Sequence, residues 1–157
     1  MKYRKRRITK YEIVEDTERF DTGILGHFVE IMHKGQVLCL LLPHGLLKVF
    51  PGYAWDGPSG PTIDTKAVMR GSAGHDPIYQ MMSEGKLPLS CRKAADILLK
   101  RTIIESSDKL IADMDAWKRP AAKAWAAIRS RYYYRAVRTF AGRCAATPYD
   151  DKIYEAP

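Results

Sequence analysis

The chain of 157 residues has 46% apolar side chains, enough for one core and too few for two, and its 26 Lys and Arg against 18 Asp and Glu leave a net charge of +8. That balance attracts an anionic partner, a phospholipid surface or nucleic acid, without naming a chemistry. Three cysteines, Cys39, Cys91 and Cys144, with no framework spacing argue against a disulfide scaffold. The basic start, residues 1–7, is not followed by the apolar stretch of a secretory signal. The longest apolar run, residues 37–42, is too short to span a bilayer, so a cytoplasmic protein is expected unless other machinery exports it.

Residues 11–53 have the pattern of strands. Segments 28–32 and 37–42 flank a polar turn containing Lys34-Gly35, and segment 46–50 follows Pro43-His44-Gly45, which predicts a small N-terminal antiparallel sheet. Residues 51–61 hold three glycines and three prolines, the composition of a structured loop. Asp64 is a suitable N-cap for a helix running through Ala67, Val68 and Met69 towards Met82, with Gly85 and Pro88 as its stop.

Ser90 is then placed to cap a second helix over 92–104, and the short link predicts antiparallel neighbours. A weaker helical piece over 108–117 precedes a long alanine-rich helix from Pro120 to about Ala141, with Gly142 after it. Trp125, Ile128, Tyr132, Ala136 and Phe140 form its apolar stripe, and Arg131, Arg135 and Arg138 line another face. The expectation is a single α+β domain: a β-rich part (1–53), a Gly/Pro loop (54–62), a helical part (63–146) with an antiparallel helix pair and a long C-terminal helix, and a tail (147–157).

The chemistry-bearing residues cluster in the middle. His75 and Tyr79, four apart, share one helix face, and an antiparallel second helix brings Asp96 opposite His75. Attack of water on an ester needs a base near neutral pH, a group that holds the base in one tautomer, and a positive centre for the oxyanion. His75, Asp96 and a cation held by Asp76 would supply these. Calcium takes carboxylate and carbonyl oxygens, and a Gly/Pro loop such as 55–60 can turn several carbonyls inward.

On these residues the chain resembles the phospholipase A2 superfamily, most closely the phospholipase domain of parvovirus minor capsid proteins. Pro51-Gly52-Tyr53, the loop Trp55-Asp56-Gly57-Pro58-Ser59, His75-Asp76-x-x-Tyr79, Gly85 with Pro88, and Ala95-Asp96 stand in that family's order. The same stretch also resembles an uncharacterised family from phages and prophages, with its Asp-Gly-x-Ser loop, His-Asp-x-x-Tyr element and the pair Arg92 and Asp96. Together the likenesses cover residues 51–102. They imply a phage-encoded, calcium-dependent hydrolase of glycerophospholipid esters, with His75 as general base, Asp96 orienting it and Tyr79 in the same network. Asp76 and the carbonyls of Trp55, Gly57 and Ser59 would hold calcium, with Asp56 as an additional carboxylate, and the Gly57 amide would help hold the oxyanion.

Three departures stand against the family pattern: Pro77 after Asp76, which predicts a kink or restart of the helix; Asp56 and Ser59 at loop positions of other character; and no disulfides to clamp the helices. Plainer roles also fit each residue. His75 can be a core histidine, Asp96 the partner of Arg92 in a surface ion pair, Asp76 an N-cap before Pro77, and the loop a rigid turn.

Two other functions stay open. One is a non-catalytic phage virion or assembly protein, alone or as a homo-oligomer; the other is a metal-dependent phosphohydrolase, which would need histidine ligands that His27, His33 and His44 do not offer by spacing. No pattern of a specific nucleic-acid-binding module is present.

Overall fold

A computed structural model of the chain describes residues 1–5, 11–57 and 65–146. It is an α+β fold. Seven short strands, β1 (Tyr3–Lys5), β2 (Tyr11–Ile13), β3 (Glu18–Asp21), β4 (Val29–His33), β5 (Gln36–Leu41), β6 (Leu46–Val49) and β7 (Ala54–Trp55), precede the helices α1 (Lys66–Ser83), α2 (Arg92–Ala112), α3 (Arg119–Phe140) and α4 (Gly142–Ala146).

The strands form two antiparallel sheets rather than the single one expected. One has the order β3-β6-β5-β4 and the other β1-β2-β7. The hairpin β4–β5 closes on Lys34 and Gly35, whose φ angles of 48° and 79° put both in the left-handed region that a two-residue mirror-image turn requires. Glycine adopts that region freely; lysine does so at a cost. Trp55, read as part of a loop, instead pairs with Tyr11 at the edge of the second sheet, its indole buried and donating to the Ser72 hydroxyl at 3.0 Å.

The inward faces of the strands, among them Phe20, Ile31, Cys39, Leu41, Leu47 and Val49, pack on Met69, Ala73, Ile78 and Met81 of α1. Full burial of each large side chain contributes about 1.5–3 kcal/mol, and the second sheet joins the same core through Ile13, Tyr53 and Trp55. The contact between sheet and helix is close because Gly74 presents no side chain. A Cβ there would meet the Phe20 ring at 2.9 Å, and the Arg70 guanidinium lies over the same ring, 5.1 Å from its centroid. Gly74→Val is therefore expected to cost about 1–3 kcal/mol by overpacking, measured as a lowered urea midpoint with unchanged helix content; an unchanged midpoint would mean that the ring moves aside freely.

Helix α1 continues through Pro77, so the restart that was one of the two expectations there does not occur, and Asp76 sits inside the helix instead of capping one. The proposed cap Asp64 lies outside the described residues; Thr65 does the capping, its side chain accepting from the Val68 amide at 3.4 Å. The C-terminus closes as the sequence predicts. Gly85 at φ 70° lets its own amide donate to the Met82 carbonyl and the Lys86 amide to Met81, a Schellman arrangement that returns the chain towards α2.

Ser90 lies in a 3-10 turn, Leu89–Cys91, and Cys91 rather than Ser90 occupies the cap of α2. That helix continues to Ala112, absorbing part of the separate piece expected over 108–117, with Ser106, Ser107 and Ile111 still buried in its last turns.

The larger correction concerns α3. Its buried residues are Ala126, Ser130 and Tyr133, with Val137 partly buried against Val68, Leu99 and Ile103. Trp125, Ile128, Tyr132 and Phe140 are exposed, and Ala136 is only partly covered. The covered face alternates small side chains, Ala126 and Ser130, with the Tyr133 ring, which joins Val68, Leu99 and Ile103, so fit to those neighbours rather than apolar area decided which side packs.

Candidate functional site

The site is built where α1 and α2 lie side by side. Gly71 supports that approach, since a Cβ on it would lie 3.0 Å from Leu99 Cδ1 and 3.1 Å from Ile103 Cγ1. One turn further along α1, His75 is buried, and its Nε2 stands 3.1 Å from Oδ1 of Asp96 on α2. Tyr79, one turn beyond, donates its hydroxyl to the same oxygen at 2.8 Å, with its ring centroid 4.1 Å from that of His75. The sequence-predicted trio thus comes together. Asp96 is fully buried, so it is not half of a surface ion pair.

Arg92 keeps only a 4.0 Å approach to Asp96 and instead donates Nε to the Tyr79 hydroxyl at 3.0 Å. Its Nη2 reaches the carbonyls of Val137 and Arg138, both at 2.7 Å, at the C-terminal end of α3, where a cation is favoured by the exposed carbonyl dipoles. Gly142 makes room for it: a Cβ there would lie 2.9 Å from Arg92 Nη1.

Sequence reasoning missed Arg138. Its Nη1 donates to Asp96 Oδ2 at 3.0 Å, so the carboxylate is saturated by an imidazole, a phenol and a guanidinium from three directions. No local spacing announces a partner 42 residues away. The one available signal was chemical: a buried aspartate needs more donors than a single histidine provides.

Asp76 is placed differently from expectation. Its Oδ1 faces His75 Nδ1 at 3.1 Å, so both ring nitrogens of His75 look at carboxylates. Burial alone would depress the His75 pKa, but the hydrogen bonds to Asp76 and Asp96 outweigh it and hold the imidazole above its ordinary value of 6.5. Although 30% of the Asp76 side chain remains exposed, desolvation raises its pKa; the His75 bond opposes this, and the nearby Asp56 carboxylate pushes it further up. Asp96 goes the other way: burial would raise it, and the bonds from His75, Tyr79 and Arg138 more than reverse that. Burial also raises the Tyr79 phenol well above its ordinary value, keeping it a donor.

These directions give a signed pH dependence. The raised His75 contributes stability that is complete below its unfolded pKa near 6.5 and is lost as pH rises through the folded value. Asp96, being lowered, contributes stability present above about pH 4 and lost as pH falls through its folded value. Asp76, being raised, acts in the His75 direction, fully present only below about pH 4. Urea midpoints are therefore expected to fall as pH rises above about 6.5, and His75→Gln should flatten that fall; an equal slope in the variant would assign the dependence elsewhere.

Of the proposed calcium ligands, Ser59 lies outside the described residues. Gly57, at φ 75°, is buried beneath the Tyr11 ring, where a Cβ would come within 2.7 Å of a ring carbon. Among the described residues no three His, Cys, Asp or Glu side chains are grouped as ligands for an ion. A cation at Asp76 would draw on Asp56 and backbone carbonyls, a hard-oxygen set of the kind calcium accepts, and it would relieve the repulsion between the two carboxylates. His27, His33 and His44 lie on the β-rich part, and among the described residues none of them belongs to a group of three or more His, Cys, Asp or Glu that could hold a metal ion.

Comparison of the chain with protein-family models, with curated proteins and with solved structures finds no match. Among the described residues no helix is long and apolar enough to cross a membrane.

Proposed function

We propose that this chain is a phage-encoded hydrolase of glycerophospholipid esters, related in chemistry to phospholipase A2. The observation that carries the reading is the contact of His75 Nε2 with the buried Asp96 carboxylate at 3.1 Å, with Tyr79 on the same oxygen. Asp96 fixes the tautomer that places a proton on Nε2, leaving Nδ1 as the basic nitrogen. Rotation of Asp76 away from Nδ1 frees that atom to take a proton from water as the oxygen attacks the ester carbonyl; the proton then passes to the departing alkoxide, giving a fatty acid and a lysophospholipid. Arg138 and Arg92 hold Asp96 and Tyr79 in place from the far side. Calcium, when bound by Asp76, Asp56 and the carbonyls of Trp55, Gly57 and Ser59, supplies positive charge for the oxyanion.

A second reading rests on its own observation. Both ring nitrogens of His75 are engaged, and Asp96 joins α1, α2 and α3 through His75, Tyr79 and Arg138, which is also what a purely structural clamp does. In that case the chain is a non-catalytic virion or assembly protein on the same fold.

Fatty-acid release from mixed phospholipid micelles by the purified chain, in calcium and in chelator, decides between them. Calcium-dependent release supports the hydrolase. No release in either, together with stoichiometric recovery in phage particles, overturns it in favour of the structural role.

A further inference from the structure

The net charge of this protein has a single address. Residues 116–146 contain eight Lys and Arg and no Asp or Glu, so the rest of the chain is balanced at 18 of each, and the whole +8 falls on α3 and its flanks. The same helix turns its largest apolar side chains outward. Trp125 and Ile128 are 65% and 57% exposed, Tyr132 extends the row at the next turn, and Phe140 at the C-terminal end is 79% exposed. Positions 125, 128 and 132 fall on one side of the helix, away from the buried Ala126, Ser130 and Tyr133. Exposed Arg131 and Arg135 stand beside that row.

We infer that the outer face of α3 is a docking surface for an anionic phospholipid bilayer, on which the helix lies parallel to the membrane plane. Tryptophan and tyrosine occupy the headgroup level, isoleucine and phenylalanine enter the acyl boundary, and the flanking arginines meet lipid phosphates. The charge argues against a second copy as the occupant, since pairing two such faces sets cations against cations. Ile128 at the centre of the row argues against nucleic acid, which has base faces for aromatic rings to stack on but no hydrocarbon to receive an aliphatic side chain. The inference rests on the outer face of α3, and of the eight cations on that helix and its flanks only Arg138, which turns to Asp96, belongs to the hydrolase reading.

The test is co-sedimentation of the full chain, in chelator so that turnover plays no part, with vesicles of phosphatidylcholine mixed with phosphatidylglycerol and with phosphatidylcholine alone. Binding to the mixed vesicles that weakens with salt is expected. Trp125→Ser with Ile128→Ser should weaken it about tenfold or more for each side chain withheld from the membrane, and Arg131→Ser with Arg135→Ser about fivefold per charge. All four positions are exposed, and unchanged circular dichroism will show that the variants fold.

Absence of binding, or equal binding to neutral vesicles, overturns the proposal. So does a single-stranded oligonucleotide that binds regardless of the apolar pair, or a dimer that the apolar pair dissolves. Vesicle binding without fatty-acid release would leave this surface standing while the hydrolase reading falls.

Discussion

On the hydrolase reading, His75→Gln is expected to lower calcium-dependent fatty-acid release by about 10²–10⁴-fold, the usual worth of a positioned general base. Glutamine retains an amide donor for Asp96 but has no nitrogen that can take up a proton near neutral pH, so it separates holding the network from doing chemistry. Because His75 is buried between two carboxylates, the variant also removes a cation that both acids use. Its urea midpoint therefore has to be measured beside its rate, at a pH where it remains folded. Release that survives the substitution would remove His75 from the mechanism.

Asp96→Ala should act mainly on the fold, costing about 3–5 kcal/mol, as expected when one partner of a buried charged network is deleted. The carboxylate is fully buried and is the shared acceptor of His75, Tyr79 and Arg138. Without it, the imidazole and the phenol face a void. Arg138, with 37% of its side chain exposed, can turn to water, so most of the loss comes from the interior pair. Asp96→Asn, which keeps the volume and one acceptor oxygen, should cost less. Urea unfolding of both variants measures this, and a loss in Asp96→Ala under about 1 kcal/mol, the range of an exposed ion pair, would mean that the network adds little to the fold.

The two variants divide the roles that the geometry superimposes. A residue whose loss removes turnover from a folded chain belongs to chemistry, and one whose loss unfolds the chain belongs first to structure. Asp96 is expected to be both, since the contacts that lower its pKa also tie three helices together.

Much of the site was legible in the chain because its signals are local. His75 and Tyr79 share a face by spacing, Gly85 and Pro88 announce the end of their helix, and a short link brings α2 alongside. From those three facts the meeting of His75 with Asp96 follows. The pairs next to Lys34-Gly35, His33 with Gln36 and Met32 with Val37, were readable for the same reason, since a two-residue turn sets the register beside it; beyond them an irregularity between Ile31 and Met32 shifts the register by one residue.

What escaped reading depends on distant residues. Arg138 reaches Asp96 across 42 positions, and Asp76 turns to His75 within a contact that spacing does not specify. Pro77 illustrates a different limit: residue preference predicted a kink or a restart, and α1 does not restart there, because burial of Ile78, Met81 and Met82 in the core outweighs one missing hydrogen bond.

The outward row on α3 completes the contrast. Periodicity in the sequence established that Trp125, Ile128 and Tyr132 share one side of a helix, because the helical repeat is a property of the backbone. Whether that side faced the core or the surroundings was settled by packing: Ala126, Ser130 and Tyr133 take the covered side, where Tyr133 joins Val68, Leu99 and Ile103, so Trp125, Ile128 and Tyr132 were left outside.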